Sequence, residues 1–317
     1  MDMLAIVVPV FAVIATGLIA VRTGLVPASI ASGLVTFSYF VCVPSLMFSI
    51  VARYPLDGLL AWDFWLLFGA GSLLALFVLR YAGGRLLGPD GRTRTVSALA
   101  AVMANTGFVA LPVLYAIFGE AGVPSAAIAN IVIAAVLIPA GVVLLEATGG
   151  IGGGVRATPR RMALQVLKNP MVWPALLGFA FAAFRLPVPQ MIEDYLDLLG
   201  QGLTPCALFA IGASVNLATL RHEGSRILVV SIVKLVALPA LVLGCGMALG
   251  LDPFLTACAV IASASPTANT AHVLAVQYRA QEQAVAATIS ATTAASVLTL
   301  PAWLFLLGLL EPGLFGG

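Results

Sequence analysis

The sequence predicts an all-α polytopic membrane protein: ten transmembrane helices in two inverted five-helix repeats, with crossed broken helices in spans 4 and 9. Three observations carry that expectation. Sixty-one per cent of the 317 residues are hydrophobic and 9 per cent charged, with a mean hydropathy of +1.10. That composition excludes the soluble globular class. Apolar windows of about 20 residues, the length that crosses a hydrocarbon core, recur along the whole chain. Proline-centred motifs also recur at offsets of 160–165 residues.

The expected spans are 3–21, 31–51, 62–81, 96–118, 124–145, 169–185, 198–217, 226–250, 254–277 and 284–309. The sixth is the least marked, its apolar run reaching only from Met171 to Phe184 between Lys168 and Arg185. Met1-Asp-Met-Leu4 lacks the positive lead of a cleaved signal peptide, so the first window is expected to remain as a span. Cys42, Cys206, Cys245 and Cys258 all lie in apolar stretches without metal or redox spacing and read as packing residues. The net charge of +2 carries no nucleic-acid signal.

Twelve of the fifteen basic residues fall in loops that follow odd-numbered spans, among them Arg80, Arg85, Arg92, Arg94, Arg156, Arg160, Arg161 and Lys168. Arg53 and Arg185 stand on the other side, and Lys234 lies within a span. The positive-inside rule then puts both termini outside.

The segment Val43-Pro-Ser-Leu-Met-Phe48 resembles Thr204-Pro-Cys-Ala-Leu-Phe209, and Ile138-Pro-Ala140 resembles Leu300-Pro-Ala302. Val8-Pro9 likewise matches Trp173-Pro174. Five spans per half is an odd number, so the second half must enter the membrane upside down. The expected division is a first repeat at 1–148, a short connector at 149–168 and a second repeat at 169–317. The connector's Gly149-Gly-Ile-Gly-Gly-Gly154 has no Lys-Ser or Lys-Thr after it and reads as a flexible link, not a phosphate loop.

Within span 9, Ile261-Ala-Ser-Ala-Ser-Pro-Thr-Ala-Asn-Thr-Ala-His272 interrupts the apolar rod. Lipid offers no partner to a loose backbone group, so such an interruption needs a purpose. Ser265-Pro266 reads as an N-cap and first helical residue, restarting a helix halfway across. At an offset of 160, Ser265 corresponds to Asn105 in Met103-Ala-Asn-Thr-Gly-Phe-Val-Ala-Leu-Pro112. Asn105 there reads as a cap, Gly107 as a flexible point and Pro112 as a lost donor.

Helix starts at the membrane centre present N–H groups and partial positive charge to an anion. Asn105, Thr106, Ser265, Thr267 and Asn269 are therefore the candidate substrate-binding residues, with Gly107, Pro112 and Pro266 marking the breaks. The bland reading is that these side chains only satisfy kinked backbone or glue helices. Two polar clusters at equivalent repeat positions favour the binding reading; Asn269 and Thr270 stand a turn further on and are evenly balanced. His272 reads as a hydrogen-bonded packing residue ahead of a coupling role. Lys234 reads either as a snorkelling lysine or as a counter-charge to an anion.

The chain resembles the auxin efflux carrier family, which includes the plant PIN-formed carriers and shares its fold class with the sodium-coupled bile-acid carriers. The resemblance rests on Phe40-Val-Cys-Val-Pro-Ser-Leu-Met-Phe48, on Asn105-Thr-Gly-Phe-Val-Ala-Leu-Pro112 with Phe118-Gly-Glu120, and on the last 55 or so residues through Leu298-Thr-Leu-Pro301. It implies a scaffold of spans 1, 2, 6 and 7, usually dimeric, and a transport unit of spans 3–5 and 8–10. It also implies that Asn105 and Pro266 match the family's crossover residues. The short connector points to a bacterial-type member of the inner membrane.

The expected function is thus secondary or facilitated transport of small organic anions by alternating, elevator-like access, without a cofactor. A cation/proton antiporter or sodium-coupled symporter is the alternative, disfavoured because no Asp or Glu lies mid-span. An enzyme is not expected: the chain has no Gly-x-Ser-x-Gly, no His-Glu-x-x-His and no paired mid-span aspartates.

Overall fold

The computed structural model describes residues 3–27, 29–53, 61–148, 172–214 and 224–315. The connector at 149–168 and the basic residues Arg156, Arg160, Arg161, Lys168 and Arg221 lie outside the described residues. Among the described residues the fold is all-helical, its only extended pairing an isolated bridge.

The helices are α1 (Met3–Arg22), α2 (Ile30–Arg53), α3 (Trp62–Ala82), α4 (Gly91–Val102), α5 (106–118) and α6 (123–146). After the connector come α7 (Val172–Ala183), α8 (Gln190–Ala213), α9 (Ser225–Leu249), α10 (Pro253–Ala264), α11 (Asn269–Gln277) and α12 (Glu282–Leu310). Six helical stretches among the described residues are long and apolar enough to cross a membrane. They are α2, α3, α8, α9, α12 and the run Thr106–Glu146, which folds back at Gly119 (φ +59°) into α5 and α6. The protein is therefore a multi-pass membrane protein.

The largest shift of a boundary from the sequence expectation is at the seventh span. The helix expected at 198–217 begins at Gln190, eight residues earlier. Its first turns carry Glu193, Asp194 and Asp197, which a hydropathy window rejects. Asp197 is paired instead of solvated: Arg53 of α2 grips it through two bonds of 3.0 and 3.1 Å, and Ser49 donates a third. Arg53 also lies 3.7 Å from Glu120, in the turn between α5 and α6.

Several helices contain one widened, π-type turn, and prolines explain most of them. In four of the five such turns among the described residues a proline follows two positions after the last residue: Pro44, Pro112, Pro139 and Pro239. Proline has no N–H and its ring crowds the carbonyl four residues back, so the ladder must widen there for that carbonyl to find a donor.

Two helix pairs pack backbone to backbone. A side chain on Gly17 of α1 would overlap Phe209 O of α8, and one on Gly212 of α8 would overlap Ile14 O of α1. On the other side, a Cβ on Gly178 of α7 would meet Phe48 O and Ala52 N of α2 at 3.0 Å each. Gly17 meets Phe209 and Ala213 as Gly178 meets Phe48 and Ala52, each residue 161 positions from its counterpart. Small residues at close crossings are how helices associate in lipid, where no hydrophobic force draws them together.

Gly212→Ala should therefore destabilise the protein by about 1–3 kcal/mol. Gly244→Ala on α9, where a Cβ meets open space, should be neutral or gain up to about 1 kcal/mol in helix propensity. Thermal unfolding of the two purified variants in detergent compares them directly.

Candidate functional site

The centre of the fold is where two helices stop short. α4 and α10 have twelve residues each, about 18 Å of rise, or little more than half of a hydrocarbon core of about 30 Å. Past α4 the chain is extended at Met103 (φ −73°, ψ 106°), and past α10 at Ser265 (φ −64°, ψ 146°). The two extended segments pair antiparallel through Ala104 and Thr267. The Asn105 N–H donates to Pro266 O at 2.7 Å, and the Ala268 N–H donates to Met103 O at 2.9 Å. Each interruption supplies the backbone partners the other has lost.

Side chains meet further carbonyls at these helix ends. Thr267 Oγ1 donates to Ala100 O of α4 at 2.8 Å, while its own N–H is received by Thr292 Oγ1 of α12 at 3.1 Å. Ser265 Oγ donates back to Ile261 O. On the α10 side the partner is an amine: Lys234 of α9, fully buried, donates from Nζ to Ser263 O at 2.5 Å. An ammonium at a helix C-terminus opposes the negative end of its dipole. Lys234 thus points inward to the backbone and does not snorkel.

Beyond the bridge the helices restart. Asn105 caps α5, its Oδ1 accepting from the Phe108 N–H at 3.2 Å, which leaves the amide NH2 as the outward donor. The second restart corrects the sequence expectation. Ser265 is the C-cap of α10, and α11 begins at Asn269 behind Ala268, which has no side chain to cap with. Pairing with Met103–Asn105 keeps residues 265–268 extended, so Ser265-Pro266 cannot serve as a helix start.

A cavity of about 220 Å³ opens against both restarts. Its polar lining is Asn105, Asn269 and, from α12, Ser290 and Thr293. Val35 of α2 and Ala207, Ala210 and Ile211 of α8 form one apolar wall; Phe108, Val109 and Ile289 lie on the other. No lining residue is charged. Two larger cavities, of about 370 and 350 Å³, are lined almost wholly by apolar side chains and bring no such polar groups together.

Of the expected binding residues, Asn105 and Asn269 face this cavity. Thr106, Ser265 and Thr267 are buried and serve the backbone or a neighbour: Thr106 Oγ1 lies 3.4 Å from Asn130 Oδ1. Gly107 and Pro112 are buried in the first turns of α5, and Pro266 contributes its carbonyl to the bridge. His272 is one turn along α11 from Asn269, half-buried, and its Nδ1 has no hydrogen-bond partner among the described residues. Ser290 and Thr293 escape sequence reading, being two hydroxyls among many on α12. Their i, i+3 spacing, which puts both on one face, is the only local signal.

A helical bundle that meets itself in two interrupted helices beside a small polar cavity defines a membrane transport protein. The chain belongs to the family described as Membrane transport protein, whose sequence model matches residues 2–152 and 155–304. This is the auxin efflux carrier-like family that the motifs resemble. It is 30% identical over 323 residues, 99% of each chain, to a Rhizobium meliloti protein named "Putative malonate transporter". An "Uncharacterized transporter" of Methanothermobacter thermautotrophicus is 27% identical, over 83% of this chain and 84% of that one. Uncharacterized transporter YfdV of Escherichia coli is 26% identical, over 68% and 69%.

The bridge carries a stability prediction. Thr267→Val should leave Ala100 O buried without its donor and cost about 1–3 kcal/mol, while Thr267→Ser should retain most of the wild-type stability. Thermal melts of both variants, at matched detergent and lipid, test it.

Proposed function

We propose that the protein carries small organic anions across the membrane by alternating access, binding them at the cavity where α5 and α11 begin. The observation that carries this reading is the convergence on one small cavity of two amide side chains and two helix N-termini. Helix starts offer N–H donors and partial positive charge, and Asn105 adds an amide donor beside them. The apolar walls suit a short carbon skeleton. A relative named for malonate fits that chemistry, and small dicarboxylates are the first substrates to try.

The reading includes a ten-span chain of two inverted repeats, 1–148 and 169–317, each with its own interrupted helix (spans 4 and 9). In support, the glycine contacts of α1 with α8 recur between α7 and α2 at a constant offset of 161. Spans 1, 2, 6 and 7 form the scaffold in this scheme, and spans 3–5 and 8–10 move against it. The cavity is lined from both groups, α2 and α8 on one side and α5, α11 and α12 on the other. A solute held there is exposed to one side or the other as the groups slide. We also propose that the protein works as a homodimer in a bacterial inner membrane with both termini outside.

Uptake of labelled malonate, other short carboxylates, amino acids and indole acids by proteoliposomes tests the function. Asn269→Ala should cut uptake of the true substrate about tenfold, equivalent to about 1.4 kcal/mol, with an unchanged melting temperature because Asn269 caps nothing. Asn105→Ala should lose at least as much uptake and some stability with its cap. Full uptake in both variants at equal incorporation would remove the cavity from the mechanism.

A further inference from the structure

We infer that the site accepts a substrate carrying a single negative charge, so that a dicarboxylate enters as its singly protonated hydrogen-anion. This rests on the function proposed above and specifies the ionic form of its substrate. The argument is a charge balance. None of the residues lining the cavity is ionisable. Among the described residues, Lys234 is the only charged side chain that is buried, and it lies behind the bridge on Ser263 O. Lys234 is spent on the carbonyl end of α10, so the two helix starts, each worth about half a charge, offer about one positive charge to whatever enters. A second full negative charge between the apolar walls has no cation or helix start left to face it, and an uncompensated charge there is costly.

The polar lining is divided in the same sense. The break end presents donors, namely the Asn105 amide, the Asn269 side chain and the first N–H groups of α11, and suits a carboxylate. The α12 side is different: Ser290 Oγ donates to Ala286 O at 3.2 Å, so it offers lone pairs to the cavity. Lone pairs repel a carboxylate and accept from the O–H of a protonated carboxyl group. Thr293, one turn on, adds a hydroxyl able to accept in the same way. A C3 or C4 hydrogen-dicarboxylate therefore lies with its ionised end at the break and its acid end on α12. The proton travels on the substrate, not on the protein.

The other ionisable groups on the surrounding helices do not line the cavity: Tyr39 and Cys42 on α2, Tyr115 on α5, Cys206 on α8 and His272 on α11. Arg53 and Asp197 are bound to each other, and the acids of α12, Glu282 and Glu311, stand at or just beyond its ends. Two protein groups stand near enough to need separating from the substrate. Lys234, behind the bridge, would act on a dicarboxylate and its monoamide alike, so a monoamide affinity that weakens in parallel overturns the inference. His272, one turn from Asn269, is tested by substitution.

The experiment is equilibrium binding of labelled malonate to the purified full-length protein, with no gradient present, from mildly acidic to mildly alkaline pH. Malonamate, the monoamide, serves as a competitor of nearly equal size with one permanent charge. Expected is an apparent Kd for malonate that weakens roughly tenfold per pH unit above its second ionisation, as the competent form is diluted. Malonamate should show a flat Kd, and His272→Gln should leave both profiles unchanged. A malonate affinity that is flat or strengthens with pH overturns the inference while leaving anion binding intact. So does a malonate profile that His272→Gln flattens, since the proton then belongs to the protein. Failure of both ligands, and of other short carboxylates, to bind at any pH would count against the cavity as an anion site and overturn this inference with it.

Discussion

Two backbone hydrogen bonds, between Asn105 and Pro266 and between Ala268 and Met103, are the constraint on which the rest of the molecule depends. Membrane interiors forbid unpaired peptide groups, so a helix can stop halfway only if something replaces its lost ladder. Here each broken helix is the replacement for the other. The arrangement is costly to form one half at a time, because either extended segment alone would bury unsatisfied N–H and C=O groups. It also explains why the segment 103–105 and the segment 265–268 are nearly all fully buried although each is followed by a polar residue, Thr106 and Asn269.

The two sides of the bridge are alike in backbone and unlike in side chains. The α4 carbonyl end is met by the hydroxyl of Thr267, a group from the opposite interruption; the α10 end is met by Lys234, a group from a third helix. One carbonyl end is met by a hydroxyl and the other by a lysine amine, so the two ends are electrically unlike. In carriers with broken helices, carbonyl ends of this kind are where coupling cations sit. At the carbonyl of Ser263 in this chain the position is held by a side chain.

How much of this was legible in the sequence follows from where the signals are local. Composition and window length gave the membrane class, and the polar interruptions near 105 and 265 stood out against apolar surroundings. Asn105 as a cap was readable because asparagine before a helix has a short-range partner, here the Phe108 N–H three residues on. Ser265-Pro266 has the same local look and misleads. Its backbone is committed to a segment 160 residues away, and tertiary pairing overrides the capping preference. The same reason hid the roles of Thr267 and Lys234, whose acceptors, Ala100 and Ser263, belong to other helices. Asp197 was lost to hydropathy because its charge is cancelled only by Arg53, 144 residues earlier. Ser290 and Thr293 carry no anomaly at all until α12 is laid against the cavity.

The same contacts say which boundary in the fold is soft. Where α1 meets α8 and α7 meets α2, glycines bring backbones into direct contact, and interfaces that close tolerate little sliding. The cavity is bounded differently: Val35, Ala207 and Ala210 meet it with small or branched apolar side chains. Among the described residues the charged contact across the divide is Arg53 to Glu120 at 3.7 Å, with Glu120 well exposed. Such a pair is worth little in stability, and Arg53 keeps its two bonds to Asp197 if Glu120 departs. A largely apolar boundary, crossed by a ring contact between Tyr39 and Phe108 and by this weak ion pair, is one along which the proposed transport unit could slide. In the proposed scheme the bridge, with both restarts, lies wholly on one side of it and would move as a piece.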